Sequence, residues 1–191
     1  MRDYVLEIIS QALLRIGDGP IDNLDIERGE VRSAKSVFPA VVDEATASWE
    51  WTFARERAEL EKAQHTPEHG NYFDLPEDFI QLIEASANEY TIEGNYLWAN
   101  DDEVSVTYIR SIVELDENGT PVFRDVTPPP AFRTAIECRL ASKLSGKYAG
   151  NMQLTVSLQQ EFDVLLRRAI AQDAMRLPQD AGEPQDWTEI V

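Results

Sequence analysis

Thr127-Pro128-Pro129-Pro130 separates two kinds of sequence. Three successive prolines fix φ and remove three backbone donors, so the stretch reads as a stiff extended spacer, neither helix nor central strand. Downstream of it the apolar residues recur at helical spacing. Phe132, Ala135, Ile136, Leu140 and Leu144 line one face up to Gly146. Leu154, Leu158, Phe162, Leu165, Leu166 and Ile170 line another between about residues 152 and 175, with Gly150-Asn151 as the joint between two helices. Upstream of the prolines the period is that of strands. Trp51, Phe53 and Arg55 alternate with polar or small residues, and residues 72–75, 90–92, 96–98 and 104–109 are short β-type runs. Glu93-Gly94-Asn95, Asn100-Asp101-Asp102-Glu103 and Asp116-Glu117-Asn118-Gly119 supply the turns between them, so an antiparallel sheet is expected.

Farther back the helical period returns. Val5, Ile8, Ile9, Ala12, Leu13 and Ile16 share one face of a helix that Asp3 can cap and that Gly17-Asp18-Gly19-Pro20 must end. After an extended link over residues 21–24, Val31, Ala34, Phe38, Val41, Val42 and Ala45 define a second helix from about residue 26 to 48. Pro39 lies in its interior and predicts a kink or break near residues 36–38. The expected fold is therefore α+β. A bundle of about four helices comes from both chain ends, residues 1–48 and 129–176, and an antiparallel β insertion occupies 49–128. Residues 177–191 form an acidic tail, with two prolines and no base.

The 191 residues suffice for one good-sized core, and 43% hydrophobic with 27% charged is an ordinary globular balance. No run approaches the roughly 18 apolar residues of a membrane span, so no membrane is expected. The opening Met1-Arg2-Asp3-Tyr4 leads straight into an amphipathic pattern without the apolar core of a secretory signal, so export is not expected either. The single cysteine, Cys138, excludes an intramolecular disulfide and reads as a core thiol.

Charge is the strongest compositional fact. Seventeen Lys and Arg against 35 Asp and Glu give −18, which disfavours wrapping of a nucleic-acid duplex by a basic face. The acid is concentrated in residues 49–128, where five bases face 18 acids, while residues 129–176 carry seven bases against four acids.

Few residues suggest chemistry. His65-Thr66-Pro67-Glu68-His69 matches the H-x-x-E-H pattern of inverted zinc peptidases. That chemistry needs both histidines one turn apart on a continuous helix, and Pro67 with the following Gly70-Asn71 favours a loop instead. Asp22, Asp25 and Glu27 do not have EF-hand spacing and read as capping the second helix, and Asp101, Asp102 and Glu103 read as a solvated turn. Trp49, Trp51 and Phe53 could stack on bases, but Glu50, Glu56, Glu59 and Glu61 surround them where a single-strand groove would need cations. Burial at the junction of helix and sheet is the better reading. Phosphate-loop, dinucleotide and nucleophile-elbow motifs are lacking, so the chain is not read as an enzyme and no cofactor or metal is expected.

Three landmarks occur in order: Ala12-Leu13-Leu14-Arg15-Ile16-Gly17 with Pro20 and Leu24; Trp49-Glu50-Trp51-Thr52-Phe53-Ala54; and Leu75-Pro76-Glu77-Asp78-Phe79. Together they resemble the tail tubular protein A family of head-to-tail adaptors from tailed phages, over most of the chain. The resemblance implies a usually dodecameric homo-oligomeric ring in the tail or neck of a virion, assembled in the host cytoplasm. Such a ring docks beneath the portal protein and above a nozzle or other tail component, and genomic DNA passes through it without specific binding. An acidic channel would let DNA slide without sticking.

Within that picture Arg133, Arg139, Lys143, Lys147, Arg167 and Arg168 are candidates to meet an acidic neighbour, and Trp187, Ile190 and Val191 are candidate anchors of the tail. A tail-completion or gatekeeper subunit is the nearest alternative, and an acidic DNA mimic that occupies a nuclease or regulator is a third.

Overall fold

The computed structural model describes residues 4–64 and 69–176. Over these residues the chain is α+β, with two helices near each end and an antiparallel β region inserted between them. Helix α1 (Tyr4–Arg15) buries Val5, Ile8, Ile9, Ala12 and Leu13. It ends where Gly17 takes a φ of 85°, a left-handed value, and the Asp18 N–H donates to the Leu13 carbonyl at 3.0 Å. The cap expected at Asp3 lies outside the described residues.

Helix α2 (Gly29–Thr46) excludes the break expected as one alternative at Pro39 and corrects the expected cap. It runs through Pro39 without a break. The residues that flank the proline, Phe38, Val41 and Val42, are all buried, and packing of this face holds the segment helical although Pro39 donates no bond to the preceding turn. Nor do Asp22, Asp25 or Glu27 cap it. The N-cap is Arg28, with no side-chain cap bond, and its guanidinium pairs with Asp18 and, at 3.8 Å, with Glu30.

Helix α3 (Pro130–Tyr148) begins one residue earlier than the proline run suggested. Pro129 is its N-cap and Pro130 its first residue, where a missing N–H leaves no bond unmade and a fixed φ suits the helix. Gly150, at φ 60°, then turns the chain into α4 (Met152–Ala174), whose N-cap Asn151 accepts a bond from the Leu154 N–H at 3.0 Å. α3 is the centre of the bundle and packs against α1, α2 and α4. It is accordingly buried over most of its circumference, from Phe132 and Ile136 to Cys138 and Ala141. Small polar residues let α4 approach it closely: the Ser145 and Thr155 hydroxyls are 2.7 Å apart, and the Ser142 hydroxyl donates to the Thr155 carbonyl at 3.3 Å.

The insertion contains β1 (Arg55–Glu59), β2 (Asn71–Asp74), β3 (Phe79–Ala85), β4 (Tyr90–Glu93), β5 (Tyr96–Ala99), β6 (Ser105–Arg110), β7 (Val113–Leu115) and β8 (Pro121–Phe123). They pair antiparallel as β1-β6-β3, β2-β5-β4 and β7-β8. The strand expected from Trp51 begins only at Arg55, because residues 51–54 make a turn closed by the Ala54 N–H on the Trp51 carbonyl. Strands β3, β7 and β8 had no counterpart among the runs picked out in the sequence.

The β1-β6-β3 sheet has two working faces, as strand alternation requires. Ile109, Ile80 and Ile83 join the helical core, while Val106, Tyr108, Phe79 and Leu82 join a second core with Phe73, Leu97 and Ala99. Register shifts between Phe79 and Gln81 and between Leu82 and Glu84 put Phe79, Leu82 and Ala85 on one face despite their three-residue spacing. The insertion is thus seated on the bundle through the β1-β6-β3 sheet and the β7-β8 hairpin, and carries the β2-β5-β4 sheet beyond them.

Candidate interaction surface

The aromatic junction is structural. Trp51 is fully buried, its ring 5.0 Å from Phe132 and 5.4 Å from Phe53, and its indole N–H donates to the Ala45 carbonyl at 3.0 Å. These rings fasten the end of α2 to the start of α3 and offer no face to a base.

The loop that carries the H-x-x-E-H string lies largely outside the described residues, which include only His69 of the five. Its carbonyl accepts from the Trp98 indole at 2.9 Å. Gly70 follows at φ 77°, with no room for a side chain: a Cβ there would stand 2.7 Å from the Trp98 indole nitrogen. Among the described residues no group of three or more His, Cys, Asp or Glu side chains is placed to hold a metal ion. In the Asp101-Asp102-Glu103 turn, Asp102 is bridged to Lys62 at 2.8 Å, which holds its carboxyl below the usual range, and the Asp101 carbonyl accepts from Asn71.

The six basic candidates of the bundle do not form one patch. Arg133 lies over the Tyr4 ring at 4.1 Å and pairs with Glu7 at 3.5 Å, facing α1. Arg139 chelates Glu44 of α2 through two bonds and lies 5.3 Å from the Phe162 ring centre, and Lys143 reaches the same carboxylate at 3.8 Å. Lys147 stands over the Tyr148 ring and donates to Ser33 at 3.4 Å. These four fasten α3 to its neighbours. Arg167 and Arg168 differ: both are exposed on α4 and make no ion pair within the described residues. Trp187, Ile190 and Val191 lie outside the described residues.

Two exposed apolar patches escaped the sequence reading. One is the outer face of α4 and its C-cap, where Met152, Val156, Val164 and the capping Met175 are 50% to 83% exposed. A period of 3.6 residues puts Val156, Val164 and Arg167 on the side opposite Leu158, Phe162 and Ala169, with Arg168 at its margin. At the amino end this face continues into a groove of about 490 Å³ between α3 and α4, lined by Met152, Val156, Arg139 and Lys143. The signal was present as a second apolar stripe on α4, outweighed by the stronger inward one.

The other patch is the β4-β5 hairpin. All of β4 is exposed and its outer edge pairs with no strand among the described residues; Tyr90 and Ile92 on one face and Tyr96 on the other are each about 40% exposed. No lysine or arginine occurs between Lys62 and Arg110, so the β2-β5-β4 sheet carries acids alone. Most of the insertion's described acids are exposed, and Glu50, Glu56, Asp102 and Glu114 pair with Arg55, Arg110, Lys62 and Arg124. The chain matches no family model and no curated protein with which it was compared.

Proposed function

We propose that the chain is a structural subunit, a head-to-tail adaptor of a tailed phage that forms a ring between portal and tail and lets DNA pass. The observation that carries this reading is the separation of charge by architecture. In the helical bundle Arg15, Arg28, Arg133, Arg139 and Lys143 pair with the bundle's own acids and Arg167 and Arg168 stay exposed, while the inserted β region projects acids with no cation between Lys62 and Arg110. An acidic lining repels a duplex and keeps it sliding. The three landmarks of the adaptor resemblance also fall at joints of the fold: the end of α1, the Trp51 junction, and the Leu75–Phe79 turn. In that turn Asp78 accepts from the Tyr108 hydroxyl at 3.0 Å and its carbonyl from the Ser111 N–H.

Electron microscopy of negatively stained protein, alone and mixed with the portal of the same particle, tests the proposal. Rings or a portal-capping complex are expected. A chain that stays monomeric and leaves the portal bare at low and physiological salt would defeat it.

A further inference from the structure

Arg167 stands on the outer side of α4 and Arg168 at its margin, both exposed and without an ion pair among the described residues. The acids of the same helix are already engaged. Glu161 holds Arg15 at 2.9 Å, Asp163 accepts from the Gln159 amide at 3.2 Å, and Asp173 is buried against Thr52. At the amino end of the helix the groove of about 490 Å³ is apolar along Met152 and Val156, which are 74% and 50% exposed. It is basic along Arg139 and Lys143, which share the one carboxylate of Glu44. Charge and shape along this face suit a chain that brings acids first and a large apolar side chain after them.

Residues 177–191 have that order. Asp180, Glu183 and Asp186 precede Trp187, and the segment contains no base. Lengths agree as well. Val156 and Met152 lie 20 and 24 residues before Arg176, about 30 and 36 Å away at the rise of an α-helix. Trp187 lies 11 residues after Arg176, about 36 Å for an extended chain. With a residue or two taken up in doubling back at Leu177-Pro178, Trp187 comes level with Val156, and Asp180 and Glu183 bracket Arg167 and Arg168. Pro178 and Pro184 suit such an extended path, since neither can continue a helix.

We propose that residues 177–191 form a strap that returns along α4 of their own chain and seats Trp187 in the groove between α3 and α4. Tethering favours the same chain over a second copy, because a short linker holds the segment at an effective concentration of about millimolar. The contact is internal to one chain, so it stands or falls separately from the ring reading. A partner that uses this groove must displace the strap first.

Disulfide trapping in the full chain tests the strap. Val156→Cys and Thr188→Cys are placed together in one chain; Val156 is exposed, so its replacement leaves the core intact. The native Cys138 is buried, with its thiol pushed up to about 12, and stays silent under mild oxidation. Oxidation is expected to give a closed monomer, faster on a non-reducing gel, at a rate independent of protein concentration. Arg167→Glu/Arg168→Glu should slow the closure about fivefold at low salt and much less at high salt. Fluorescence gives a second arm. The difference between the native chain and Trp187→Phe isolates Trp187, whose emission is expected to be shielded from acrylamide and to lose that shielding in Val156→Asp.

Disulfide-linked dimers that grow with concentration would assign the segment to a second copy and overturn the proposal. So would either a closure whose rate ignores the charge reversal or a Trp187 as open to acrylamide as free tryptophan.

Discussion

Asp173, near the end of α4, and Thr52, 121 positions earlier, are joined by two bonds: the carboxylate accepts from the Thr52 N–H at 2.9 Å and from its hydroxyl at 2.7 Å. Asp173 is only 3% exposed, so this acid closes the chain's last described helix onto the turn where the helical region passes into the sheet. Hydrogen bonds to a charged group contribute about 1.5–3 kcal/mol, and a buried donor left without its acceptor loses more than the bond. Asp173→Ala is expected to lower stability by about 3 kcal/mol in urea denaturation. Asp173→Asn should recover part of that, because one oxygen still accepts. Equal losses in the two variants would show that the pairing contributes through packing alone.

The ring of Phe132 lies 5.0 Å from Trp51 and 5.1 Å from Phe53, edge to face with both. It is fully buried at the point where α3 meets the junction. Phe132→Ala leaves a cavity among rigid rings that cannot collapse into it, so the loss should fall in the range of about 3–5 kcal/mol. Phe132→Leu, which keeps most of the volume, should lose less than half as much. Equilibrium unfolding followed by tryptophan fluorescence reads both.

The sequence carried the architecture where the pattern was long and one-sided. The stripes of α1, α2, α3 and α4, the left-handed Gly17 and Gly150, and the hairpin at Gly94 were all legible, because period and turn chemistry act locally. Strand β3 was not. Its two register shifts put Phe79, Leu82 and Ala85 on one face, so the period of two that marks a strand is broken within the strand itself. Trp51 misled in the opposite way: it alternates with Phe53 like a strand residue but is buried in a turn, against Phe53 itself and the Phe132 ring of α3. Among the candidate bases, exposure could not be judged from the sequence, since Arg133 and Arg139 are covered by tertiary neighbours, Tyr4 and Phe162, that only the fold brings near.

Pro39 gives a test of how far packing overrides propensity. The helix continues through it, yet its nitrogen cannot bond to the Lys35 carbonyl. It is half-buried beside a groove of about 590 Å³ that also reaches Leu24, Ile26 and Leu115. Pro39→Ala restores a donor and a good helix former without emptying the core, and is expected to raise stability by about 1–3 kcal/mol. A fall in melting temperature would mean that the proline ring's contacts outweigh the missing bond.

Two half-buried acids, Glu137 and Asp43, set a pH dependence. Burial pushes the Glu137 carboxyl up from its ordinary value, the nearby Glu7 adds to this, and Arg15 at 3.7 Å offsets it only in part. Asp43 is raised in the same way, burial outweighing the bond from the Ser111 hydroxyl. A carboxyl whose folded pKa lies above its unfolded one binds its proton more tightly when folded. Its stabilising contribution is therefore complete below the unfolded value of about 4.5 and is lost as pH rises through the raised folded value. Glu137→Gln keeps the shape without the charge, and Arg15 retains Glu161 at 2.9 Å. The melting temperature of the variant relative to the native chain should accordingly be higher at pH 7 than at pH 4, with the change falling above pH 4.5. A difference that stays constant from pH 4 to 7.5 would show that the burial of Glu137 is already compensated by its neighbours.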